Sequence, residues 1–198
     1  MALDRWHDLG YGPNPPGPLM PDHAAFLRAM NVGGRRITND DLRAHFEAIG
    51  LDDIGLFRAS GNVVFTAPDE PPAELTARIE RELAASLGYD VPIYLRTAAE
   101  VCEIAAHEPF PADAVAASNG KLQVTLLLDR PAAAARKKVL ALALADDHLA
   151  FGERELYWLP SGGLLESELD LKAIVRLLGP TTTRTKGTME QVAHKYFA

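Results

Sequence analysis

Cysteine is nearly absent from these 198 residues: Cys102 stands alone. An intrachain disulfide is therefore excluded, and a single thiol fits a reducing, cytoplasmic setting. Long apolar runs are missing too. None approaches the roughly 18 residues a transmembrane helix needs, so no membrane association is expected. The opening segment "MALDRWHDLGYGPNPPGPLMPDH" has no apolar stretch of the kind a secretory signal carries. Its prolines and glycines read as an irregular extension over residues 1–22. Positive charge is in short supply as well, the formal net charge being -7. That balance disfavours a general nucleic-acid binder, whose footprint is usually basic. The basic residues that exist gather late, with Lys172, Arg176, Arg184, Lys186 and Lys195 set against the lone acid Glu190 from Lys172 onward. The six histidines lie in separate elements, with no H-x-x-x-H or H-E-x-x-H pair. Neither a metal site nor a cofactor is signalled.

What is present is a repeated order of elements. Ala24 to Asn31 reads as a short apolar strand. Thr38 with Asp41 opens a helix whose apolar stripe is Leu42, Phe46 and Ile49, and Gly50 ends it. "DIGLFRASGNVVFTAP" reads as two strands divided at Ser60-Gly61-Asn62. "AELTARIERELAASLG" is a helix stopped at Gly88, and "VPIYLRT" is a fourth strand. The plan then recurs. Thr97 and Glu100 cap a short helix to about Ala106, with Cys102 on its buried face, and "HEPFPADAVAASNG" reads as a loop. "KLQVTLLLD" is a strand, and Pro131 opens the helix "PAAAARKKVLALALA". "HLAFGERELYWLP" is a second hairpin, whose Tyr157 and Trp158 are expected as one core ring and one partly exposed ring. Ser167 with Asp170 caps "ELDLKAIVRLL", and a last helix runs around Met189 to Tyr196.

Strand, helix, hairpin, helix thus occurs twice. The order predicts an α+β protein made of two ferredoxin-like, β-α-β-β-α-β type halves with antiparallel sheets, at residues 23–97 and 98–198. A doubly wound parallel sheet is excluded, because each half has a hairpin where that fold needs a crossover.

Three stretches invite a functional reading. "NVGGRRIT" has neither Walker nor dinucleotide spacing, so it is foremost a strand-to-helix turn. Gly33 and Gly34 can still leave backbone N–H groups converging, with Arg35 adding donors at a helix start. Arg28 and Asn31 alternate along the preceding strand toward the same end. In "FRASGNVVF", Ser60 lacks a G-x-S-x-G elbow and Asn62 belongs to the turn. In "TTTRTKGTMEQV", Arg184 stands among hydroxyls and is a further candidate donor, beside the plainer reading of a solvated capping segment.

"FLRAMNVGG", "DLRAHFEAIG", "SGNVVF", "VPIYLRTAAEV", "KLQVTLLL" and "TTTR", in this order, resemble the family catalogued as domain of unknown function 1697. The likeness runs from about Ala24 to the C-terminus. It implies two ferredoxin-like halves, and it implies no activity, substrate or catalytic residue. Ala29 and Met30 depart from the family's Gly-Ile. Thr183 to Thr188 lack the aromatic and second arginine usual in the tail, and "GGLLESELD" lacks a glycine–serine–lysine feature.

The expected function is binding of a small anionic, phosphate-bearing molecule at Arg28, Asn31, Gly33, Gly34 and Arg35, joined by Ser60, Asn62 and Arg184. Two alternatives stand beside it. One is a hydrolase or transferase of small phosphorylated or acylated substrates, using Ser60 or an activated water. The other is a structural or homo-oligomeric interaction protein that uses its sheet edges.

Overall fold

A computed structural model describes residues 20–28, 30, 37–118, 120–144, 147–162 and 167–198. The first sheet is built from β1 (His23–Leu27), β2 (Asp52–Leu56), β3 (Asn62–Thr66) and β4 (Ile93–Thr97), in the order β2-β3-β1-β4. The second uses β5 (Gln123–Leu127), β6 (His148–Phe151), β7 (Glu155–Leu159) and β8 (Thr181–Thr185), in the order β6-β7-β5-β8. Every pairing is antiparallel. The two orders are the same order, which is the expected duplicated ferredoxin-like plan.

Helices α1 (Asn39–Ala48) and α2 (Pro72–Leu87) cover one face of the first sheet. Both predicted capping boxes form, Thr38 with Asp41 on α1 and Thr97 with Glu100 on α3 (Ala98–Ala106). Each satisfies amide groups that a helix start otherwise leaves bare. The short helix α4 (Ala112–Ala117) occupies a stretch whose sequence reads as loop. On the second sheet, α5 (Ala133–Leu140) and α6 (Leu171–Leu178) form the outer layer. Asp170 caps α6 by accepting from the Ala173 amide. Ser167, expected beside it as a cap, instead donates to Asp147 at 2.5 Å. Burial works to raise the Asp147 carboxyl, but the Ser167 hydroxyl and the Ser161 amide outweigh it and hold the group below the usual carboxylate range.

The two sheets are not separate bodies. Along β1, Ala25 and Leu27 face α1 and α2, while Ala24 and Phe26 face the other way. That second face meets its counterpart from the other sheet, Val124, Leu126 and Tyr157, in one shared core. Helices α3 and α7 (Lys186–Tyr196) pack side by side and complete it with Val101, Ile104, Met189 and Val192. Both sheets are thus covered on both faces. For this reason Tyr157 and Trp158 are both buried, at 1% and 3% exposure, where one exposed ring was expected. Alternation sends Tyr157 to the shared core and Trp158 to the outer layer. Cys102, expected to be buried, is partly buried on α3 and packs against the shared core.

Helix α7 is pinned to the first sheet as well. The Tyr196 hydroxyl donates to the Leu56 carbonyl at 2.9 Å, and the ring lies against Gly55. A Cβ at position 55 would sit 2.5 Å from Tyr196 Cε1 and 2.7 Å from Val64 Cγ2. Gly55→Ala is expected to lose about 1–3 kcal/mol of stability through overpacking. Urea unfolding of the variant beside the parent chain measures this, and an unchanged midpoint would refute it.

Candidate functional site

The last strand of each half ends in Arg-Thr just before a capped helix, Arg96-Thr97 in β4 and Arg184-Thr185 in β8. The registers make the two arginines equivalent. Arg96 stands opposite Ala24 on β1, and Arg184 opposite Val124 on β5. Each side chain crosses to the other half. Arg96 donates through Nη2 to the carbonyls of Leu127 and Arg154, both at 2.9 Å, and through Nε to Glu155 Oε1 at 2.9 Å. Arg184 donates through Nη2 to the carbonyls of Leu27 at 2.9 Å and Ser60 at 3.0 Å, and through Nε to Asn62 Oδ1 at 2.5 Å. Asn62 opens β3 opposite Phe26, just as Glu155 opens β7 opposite Leu126. The halves therefore hold each other by reciprocal arginine staples.

The staples differ in charge. Arg96 is 1% exposed and has the Glu155 carboxylate as counter-ion. Burial lowers its pKa, with Glu155 opposing the shift. Arg184 has a neutral amide in the corresponding place, and burial alone pushes its pKa down to about 10. Arg184 is only partly buried, so water screens its charge in part, but no carboxylate answers it as Glu155 answers Arg96.

Of the sequence-predicted site residues, the structure brings Arg184, Asn62 and Ser60 into one hydrogen-bonded group. Asn62 Nδ2 donates to the Ser60 hydroxyl at 2.8 Å and to the Phe57 carbonyl at 2.9 Å. Gly61 between them takes φ 68°, the left-handed region where glycine is least strained. Arg28 follows β1 directly, is exposed, and donates its amide to the Pro92 carbonyl at 2.9 Å. Asn31, Gly33, Gly34 and Arg35 lie outside the described residues. Every N–H direction of Arg184 already has a protein acceptor, with Nη1 on Thr182 Oγ1 and the Thr183 carbonyl. A visiting anion would therefore meet its charge rather than a free donor.

Sequence reasoning missed Arg58. It sits in the β2–β3 turn at φ 58°, an uncommon conformation for a residue with a side chain. Its guanidinium lies 5.2 Å from the centre of the Phe57 ring and donates to Gln191 on α7 at 3.0 Å. Arg28 after β1, Arg58 in the β2–β3 turn and Arg184, bonded to Leu27 and Ser60, lie at the same end of the first sheet, and among the described residues none of the three has a carboxylate partner. Arg96 and Glu155 were missed too, although the repeated Arg-Thr before a capped helix was a readable signal.

The Ser60 hydroxyl has no histidine partner among the described residues, so no general base is placed for a nucleophile there. Nor, among them, do three His, Cys, Asp or Glu residues gather as metal ligands would. No described helix is long and apolar enough to cross a membrane.

Two sheets of identical order, joined by crossed arginines, define a duplicated ferredoxin-like α+β protein. The chain belongs to the family described as protein of unknown function (DUF1697), whose model matches residues 20–157. Among solved structures it is similar to a conserved bacterial protein of Streptococcus pneumoniae, at 20% identity and a TM-score of 0.66. That alignment covers 89% of this chain and 98% of the other, and at this identity it speaks for the fold. None of the curated proteins matches the chain.

Proposed function

We propose that this protein is a binding module for a small anionic, phosphate-bearing ligand. The ligand sits where the end of β1, the β2–β3 turn and β8 meet. One observation carries the reading: Arg184 is a partly buried cation whose twin, Arg96, has the Glu155 carboxylate that Arg184 lacks. A ligand oxyanion supplies the missing charge. At about 4 Å such a pair is worth about 1 kcal/mol in bulk water and about 4 kcal/mol near a protein surface. Exposed Arg28 and the turn residue Arg58 provide the donors that Arg184 no longer has free.

A thermal-shift series with inorganic phosphate, nucleoside monophosphates and nucleoside diphosphates tests this, with sodium chloride at matched ionic strength as control. Binding to the folded state alone raises the melting temperature, by about 2.7 kcal/mol of added stability at 100 times Kd. The expected result is a rise with phosphates beyond the salt control, reduced in Arg28→Ala and Arg58→Ala. Absence of any such rise at millimolar ligand sinks the proposal, as does a rise that both variants keep in full.

A further inference from the structure

Duplication also allows the two terminal strands to be compared as edges, independently of the anion reading. In β4 and β8 alternate residues turn their backbone N–H and C=O away from the sheet. The Ala98 amide bonds to the Asp22 carbonyl, and the Lys186 amide to the Leu122 carbonyl. Counting in steps of two from these, Ile93, Leu95 and Thr97 face outward in β4, and Thr181, Thr183 and Thr185 in β8.

The β4 edge is blocked by side chains. Glu80 accepts from the Ile93 amide at 2.9 Å, Glu100 accepts from the Thr97 amide at 2.9 Å, and Arg96 and Arg154 cover the Leu95 carbonyl. This is how folded proteins keep an edge strand from recruiting another. In β8 the Thr183 carbonyl receives one guanidinium donor, Arg184 Nη1 at 2.9 Å, where Leu95 receives two, so one lone pair remains for a partner strand. Among the described residues no side chain accepts from the Thr181, Thr183 or Thr185 amide. Counted back from the last leucine of each helix, Leu171 of α6 is the counterpart in sequence of Glu80 on α2. Leu171 is 47% exposed and Val175 38%. With Thr181 and Thr183 they border a small, mostly apolar cavity of about 170 Å³ beside the edge.

We infer that β8 and α6 form a surface for a second copy of this chain. The occupant follows from self-complementarity. Two β8 strands laid antiparallel about Thr183 place Thr183 opposite the partner's Thr183 and Thr181 opposite the partner's Thr185. Threonine opposite threonine is a favourable cross-strand pair, and no like charges face each other along the outward residues. The same two-fold brings Leu171 and Val175 of both copies together over the seam and removes them from water. The two second sheets become one continuous sheet across the dimer.

Sedimentation equilibrium of the full chain, without phosphate, tests this over a range reaching millimolar protein. The expected result is a reversible dimer. Leu171→Glu restores the residue type of the blocked edge and should weaken the dimer at least tenfold while the circular dichroism spectrum stays unchanged. Thr183→Pro removes an outward amide and leaves the backbone bonds to β5 in place, at the loss of the hydroxyl bond from Thr183 to Thr125, so it should act in the same direction. Should the proline variant unfold, Leu171→Glu decides alone. A chain that stays monomeric throughout, including one that captures only a foreign strand, overturns the inference. So does a dimer that Leu171→Glu leaves as tight as before.

Discussion

Arg96→Met is expected to destabilise the protein by about 3–5 kcal/mol, the range for removing one partner of a buried ion pair. The substitution strips the counter-ion from Glu155, whose side chain is 7% exposed. It also leaves the Leu127 and Arg154 carbonyls without the donor that joins the halves. Both losses arise in the core shared by the two sheets, so unfolding should remain a single cooperative transition with a lower midpoint. Urea melts followed by circular dichroism measure the loss. The pair is separable from its surroundings by a double-mutant cycle. Glu155→Leu alone leaves Arg96 buried and unpaired, whereas Arg96→Met with Glu155→Leu removes both charges at once. The double variant should be more stable than the sum of the singles implies, by about 0.5–3 kcal/mol. Strict additivity would mean that the pair contributes no coupling and that the crossed staples are incidental.

Arg184→Met, the matching change in the other half, is expected to cost less, about 1–3 kcal/mol. It abandons the Leu27 and Ser60 carbonyls, but no carboxylate is left behind, and a partly buried cation without a counter-ion disappears. Opposite terms partly cancel where at position 96 they add. The same melts rank the two variants. An Arg184→Met protein weaker than Arg96→Met would show that the missing counter-charge is not the feature that distinguishes the staples. Under the proposed function this variant also loses part of the phosphate-induced rise in melting temperature, an effect that its stability alone does not produce.

Local signals were read well where the physics is local. Thr38 with Asp41 and Thr97 with Glu100 bond within one helical turn, so sequence spacing suffices to find them. Gly88 at φ 77° ends α2 for a reason that concerns one residue's backbone. Strand β8 was not legible. Thr-Thr-Thr-Arg-Thr has no apolar alternation, and it becomes a strand because β5 offers it a partner edge. The six residues of α4 were hidden among the prolines and alanines of an apparent loop. At the candidate site, Ser60, Asn62 and Arg184 could each be picked out, but nothing in the chain showed that they touch. Arg184 and Asn62 are brought together across 122 positions, and Arg58 entered the group only through the path of the turn.

The sequence by itself therefore determined the class of this protein: α+β, duplicated, with hairpins that force antiparallel sheets. Periodicity, caps and turns act over a few residues, and their order along the chain is enough to set the class, though not the last strand of the second sheet. Only the tertiary structure decided that the halves share a core, that their arginines cross, and that one staple carries a carboxylate while the other does not. Those outcomes depend on which surfaces bury each other, and partial burial lowers the pKa of Arg184 where no carboxylate opposes the shift.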